Sequence, residues 1–267
     1  MTRMAERLGR HAILFHARCR KRLASIRESI VHDHFETFVG RQDRALGIGT
    51  AVGSDSWFVY DVDPAPHRGS GRRPDRKDVA AKESFSSTYV RSIQRTFSGL
   101  ISRIPAGDTV TLIVDGRSDY RHAMRDTRLA RRIALSVFPN PQRGPKGSPR
   151  SPEAIARDHA MFPVDQLHQL LRHTCSDHKR ETISFGRRLE SILGRAHLMA
   201  VWKNFIKARS ERRPDPATPA LKVGLATEPW IWEWILSRRL FSFREALPEI
   251  GLELYEKRWT AGLPALQ

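Results

Sequence analysis

Two cysteines, Cys19 and Cys175, are all that the 267 residues contain. So few exclude a disulfide framework or a four-cysteine zinc site, and both read as reduced thiols of a cytoplasmic chain. No run of about 18 apolar residues occurs, so no segment reads as membrane-spanning. The opening "MTRMAERLGRHAILFHARCRKRL" is basic, but its only apolar patch is "AILF", which does not make a signal peptide. Acid is also scarce: 29 Asp+Glu stand against 46 Lys+Arg, a formal charge of +17. The excess is Arg-rich and spread along the whole length, which predicts a polyanionic partner. Nucleic acid comes first, because each phosphate neutralised releases counterions.

What is present divides into three parts. Residues 1–27 form a basic helical segment, amphipathic over 4–27, with Leu8, Ile13, Leu14 and Leu23 free to pack. Residues 28–211 hold the core. Three strand-like stretches open it, "SIVHDHFETFV", "ALGIGTAV" and "SWFVYDVD", separated by Gly- and Asp-containing turns as in an antiparallel meander. A Pro/Gly/Arg loop (64–78) follows, then a helical pattern over 79–103 with Val90, Ile93, Phe97, Leu100 and Ile101 on one stripe. "TVTLIVDGRSDY" reads as a strand ending at Asp115-Gly116, with Ser118 capping a short helix. "RRIALSVFPNP" is another strand, and the basic low-complexity loop 139–152 comes after it. Pro163 marks a helix start, and 163–210 is helical almost throughout. Residues 212–267 are a linker and a Trp-rich, helical extension. The order β-β-β-α-β-α-β-loop-α predicts an α/β fold with an RNase-H-like mixed sheet, three antiparallel strands and then βαβ units, with flanking helices.

In such a sheet the middle of the first strand lies beside the end of the fourth. Asp33 and Asp115, 82 positions apart, are therefore brought together, and Asp165 on the first turn of the long helix supplies a third acid. Asp33 is the most telling, since a carboxylate in "ESIVHDHFETFVG" sits among residues built for a core and requires compensation. Three converging carboxylates suit two divalent ions, Mg²⁺ or Mn²⁺, and the chemistry of in-line phosphoryl displacement. Each acid also has a plainer reading. Asp115 could bond the backbone of the next turn, and Asp165 could serve only the helix dipole.

The sequence here resembles bacterial insertion-sequence transposases with an RNase-H-like acidic-triad core of the DDE/DDD type. "VHDHFETFVG" is similar to the first motif, "LIVDGRSDY" to the second, and "FPVDQLHQLLRHTCSDHKRETISFGRR" to the third; together they span roughly residues 28–210. The family usually has Glu directly after the first Asp, where this chain has His34. Its third acid is often Glu, where this chain has Asp165. Glu181 competes for that role. The Cys-rich zinc module common in the family has no counterpart, which leaves open a truncated chain or a remnant that has lost it.

The resemblance implies a DNA transposase, a polynucleotidyl transferase for DNA recombination, acting with Asp33, Asp115 and Asp165 on two Mg²⁺ ions. It implies element ends and target DNA as partners, a homodimer, and a nucleoid-associated place in the bacterial cytoplasm. The alternatives are an RNase-H-like nuclease or resolvase without strand transfer, and an inactive transposase-derived nucleic-acid-binding protein. For DNA contact the sequence offers Lys179, Arg180, Arg187, Arg188, Lys203, Lys207 and Arg209, with Lys203 and Lys207 at i,i+4 on one helix face. His32, His34, His168 and His173 are expected near the centre. Trp230, Trp232 and Trp234 alternate, as in a strand or a base-stacking groove, with core packing as the plainer expectation.

Overall fold

The computed structural model describes residues 2–66, 78–142, 145, 148–178, 186, 188–210, 215–245 and 247–256. Helix α1 (Thr2–Arg22) leads into the meander β1 (Ile30–Val39), β2 (Arg41–Gly53) and β3 (Val59–Pro66). Helix α2 (Asp78–Leu100) then crosses to β4 (Val110–Val114), and the short helices α3 (Ser118–Ala123) and α4 (Thr127–Ala130) lead to β5 (Ile133–Val137). The five strands make one mixed, open sheet in the order β3-β2-β1-β4-β5. Its first two pairings are antiparallel, and β1–β4 and β4–β5 are parallel. The chain is thus α/β with helices flanking a mixed sheet, as the element order predicts.

Strand alternation decides what each face carries. Ile30 of β1 and Val110, Leu112 and Val114 of β4 point to one side, where Ile93 and Phe97 of α2 and Tyr120 of α3 close a core. Val31 and Phe35 point to the other, onto Met161, Val164, Leu167 and Leu171. The glycines of "ALGIGTAV" belong to the α2 side. A Cβ on Gly47 would come 2.6 Å from the Tyr89 hydroxyl, and one on Gly49 would come 3.1 and 3.2 Å from the His32 and His34 imidazoles. Missing side chains on β2 therefore make room for bulky polar ones beside it.

Helix α5 (Pro152–Thr174) covers the second face and starts eleven residues before the expected Pro163. Ser151 is the reason: its Oγ accepts the Ala154 amide at 3.2 Å, with Pro152 at the first helical position. Pro163 stands inside the helix, where its missing amide forgoes one hydrogen bond while its ring is buried against the sheet. Ser118, expected as the cap of this short helix, is instead the first residue of α3; the cap position is Arg117, without a side-chain bond.

Helix α6 (Leu189–Phe205) packs against α1 and β3. The extension comprises α7 (Pro219–Lys222), α8 (Trp232–Ser237) and α9 (Glu249–Glu256). Its tryptophans pack instead of forming a strand. Trp230 stacks on Phe205 at 4.6 Å and 6°, Trp234 lies 4.1 Å from Trp230, and Phe15 of α1 meets both edge-on. Residues 67–77 of the first basic loop, and 143–144 and 146–147 of the second, lie outside the described residues. No helix among the described residues is long and apolar enough to cross a membrane.

Candidate functional site

The parallel register of β1 and β4 pairs Ile30 with Leu112 and Val31 with Ile113. Continued by two residues, it brings Asp33 level with Asp115, just past the end of β4. Asp33 lies on the α5 face with Val31 and Phe35. Its Oδ1 accepts the His34 amide at 2.8 Å. Burial, then the charge of Asp115 and more weakly that of Asp165, hold its carboxyl up at about 7. Among the described residues no guanidinium pairs with it. The buried acids of β3 differ: Arg20 pairs with Asp61, and Arg95 grips Asp63 at 2.6 Å. Those two pairs line a cavity of about 700 Å³ at the β3 edge.

Asp115 is buried, and its Oδ1 accepts the Arg117 amide at 3.1 Å, the turn bond of the plainer reading. Burial raises its pKa, while the Arg117 amide and the charges of Arg117 and Arg157 oppose the rise. The Arg117 guanidinium turns to the opposite face, 4.0 Å over the Tyr89 ring, 3.0 Å from Asp119 and 3.7 Å from Glu36.

Asp165 is not a first-turn acid. It stands thirteen residues beyond the first residue of α5, so the helix dipole, which fades within a turn, does not explain it. Its carboxylate is 39 % exposed and ion-paired with Arg157, whose own side chain is only 15 % exposed. Arg157 also acts on Asp115 and lies 3.7 Å from Asp158. A guanidinium is therefore set among the carboxylates. Sequence spacing gave no sign of it, because residues eight apart are outside the usual i,i+3 and i,i+4 pairings.

His168, one turn after Asp165, does belong to this centre. Thr50 opposes Asp33 on β2, and its hydroxyl donates to the Asp33 carbonyl at 3.2 Å. The same oxygen lies 2.8 Å from His168 Nε2, which as the donor of that pair leaves Nδ1 unprotonated, 3.8 Å from Asp33 Oδ2. Burial keeps the ring neutral, its pKa pushed down to about 3.

His32 and His34 do not belong to it. They alternate to the α2 face, where His32 Nδ1 lies 3.0 Å from the Tyr120 hydroxyl and the His34 ring is 4.3 Å from that of Tyr89. The residue that departs from the family pattern thus faces away from the acids. His173 is exposed at the end of α5.

The expected basic edge is corrected in part. Lys203 is 3 % exposed, so it is no surface contact; its Nζ bonds Gln166 Oε1 at 3.1 Å. Lys207 lies beyond the end of α6, over the Trp202 ring, and shares no helix face with Lys203. Arg188 is exposed and 3.6 Å from Glu6, and Arg209 is 3.4 Å from Asp215. Lys179, Arg180, Arg187 and the competing acid Glu181 lie outside the described residues.

The donors Asp33, Asp115 and Asp165 are all carboxylate oxygens, the chemistry of a Mg²⁺ or Mn²⁺ site. Among the described residues, however, no three His, Cys, Asp or Glu side chains are gathered closely enough to hold an ion. Two acids stand side by side, and the third is engaged by Arg157. No family model matches the chain, and no curated protein matches it.

Proposed function

We propose that the chain is a DNA transposase with an RNase-H-like core, cutting and joining phosphodiesters with Asp33, Asp115 and Asp165. The observation that carries the reading is the level placement of Asp33 and Asp115 on neighbouring parallel strands, with Asp165 on the helix above them. A sheet order of β3-β2-β1-β4-β5, three resembling motifs in sequence and a charge of +17 support it. The raised pKa of Asp33 supports it too, since an unpaired carboxyl crowded by other acids is costly to keep unless it serves chemistry.

The three carboxylates would hold two divalent ions, which when bound supply charge neutralisation for an in-line displacement at phosphorus. The chain's own residues do the rest. Thr50, held in turn by His168, fixes the β1 backbone at Asp33 from the α5 side. Arg157, now paired with Asp165, would have to give up that carboxylate for the three acids to hold an ion together, and would then be placed to face a phosphate. Nicking of plasmid DNA by the purified chain in Mg²⁺ or Mn²⁺, compared with Asp33→Asn and Asp115→Asn, tests the proposal. Joining of labelled ends separates a transposase from a nuclease that only cuts.

A further inference from the structure

Trp57 ends the turn between β2 and β3 with φ of 61°, the one non-glycine at positive φ among the described residues. A bulky side chain pays a steric cost for that backbone, and such costs gather where position matters. Its half-buried ring lies 5.3 Å from that of Phe162 on α5. Two cations flank the indole: Arg209 Cζ is 4.9 Å and Lys203 Nζ 5.4 Å from the ring centre. Phe162 itself is 46 % exposed, although an aromatic in the middle of α5 has a core available on the helix's other side.

The patch adjoins the candidate site. Phe162 precedes Asp165 by one helical turn, and Gln166, which holds Lys203, is the next residue. An exposed aromatic beside a cation matches an unstacked nucleobase and its phosphate: the Phe162 ring offers a stacking face, and Arg209, unlike the buried Lys203, is exposed enough to meet the backbone charge.

We infer that Phe162 and Trp57 form a stacking platform for an unpaired base of DNA lying next to the scissile phosphate, with Arg209 contacting the backbone there. The inference rests on the proposed function for the identity of the nucleic acid. It places base contact at the β2–β3 turn and α5, not at Trp230, Trp232 and Trp234, which pack against the core, Trp230 and Trp234 also against each other.

The test uses the full chain in EDTA, so cleavage plays no part and a failure of the catalytic proposal cannot be mistaken for a failure of this one. The probes are an oligodeoxynucleotide duplex with a single-stranded overhang carrying 2-aminopurine, and the matching blunt duplex. Wild type is expected to bind the overhang more tightly and to quench its fluorescence. Phe162→Ala is expected to lose about tenfold in overhang affinity and the quenching, with blunt-duplex binding unchanged. Phe162→Trp retains both. Trp57→Gly, which removes the ring while suiting the positive φ, reproduces the loss. Phe162 is on the surface, so its variants keep the test open even if Trp57→Gly melts early. Wild-type overhang affinity and quenching in folded Phe162→Ala overturn the inference. Equal loss on both probes does the same.

Discussion

The parallel register of β1 and β4, continued two residues beyond Val31 and Ile113, sets Asp33 level with Asp115, one mid-strand and the other just past a strand's end. Nothing in the local sequence of either requires this. It follows from a crossover that places β4 beside β1, and it leaves half-buried Asp33 and buried Asp115 to share one space without a guanidinium on Asp33.

The first consequence is a pH dependence. The Asp33 carboxyl ordinarily titrates near 3.8 and is held at about 7 in the folded chain, so between those values the folded state binds more protons than the unfolded one. Stability therefore falls as pH rises from about 4 to 7. In EDTA, Asp33→Asn is expected to be more stable than wild type at pH 8, by on the order of 1–3 kcal/mol, and to differ little at pH 4. Urea titrations at the two pH values read this directly; a variant less stable than wild type at pH 8 counts against an unpaired carboxylate.

A second prediction concerns Arg157. If its guanidinium holds the place of a cation beside Asp165 and Asp115, its removal frees both acids. Arg157→Ala is expected to bind Mn²⁺ about two- to fivefold more tightly, matching the ~0.5–1 kcal/mol of a part-exposed ion pair. Calorimetry with Mn²⁺ measures it, and unchanged or weaker binding removes Arg157 from competition with the metal.

A third prediction tests the packing behind the site. Gly47 lies under the Tyr89 ring, three of whose atoms would be 2.6–2.9 Å from an added Cβ. Tyr89 also bonds Glu36 and carries Arg117 over its face, so it has little freedom to move away. Gly47→Ala should cost about 1–3 kcal/mol in unfolding free energy, a loss typical of overpacking. Wild-type stability would show that Tyr89 is not fixed as described.

These residues also show how far the sequence could be read. The meander, the strand ending at Asp115 and the helix over 79–103 were legible because period-2 and period-3.6 patterns with turn residues between them are local signals. The juxtaposition of Asp33 and Asp115 was legible only through the order of elements. The start of α5 was misread because Pro163 is a strong local marker, whereas Ser151-Pro152 lies in a Pro-rich basic stretch that looks like loop. Arg157 is hidden for the same reason: it lies between Ser151 and Pro163, ahead of the helix that Pro163 marks. His32 and His34 were grouped with Asp33 by nearness in sequence, although alternation along a strand sends neighbours to opposite faces. Lys203 looked like a surface cation because charge patterning cannot tell an exposed helix face from one buried beside Trp57 and Gln166.

The most direct measurement is the cleavage of supercoiled plasmid by the purified full chain with Mg²⁺ or Mn²⁺, beside Asp115→Asn and with DNA binding measured in EDTA. The wild type is expected to nick only when the metal is present. Asp115→Asn should lose at least about a hundredfold in rate, as several kcal/mol of charge stabilisation would require, while binding DNA as before. Wild-type cleavage by Asp115→Asn, or a wild type that binds DNA but never cuts it, would contradict the account.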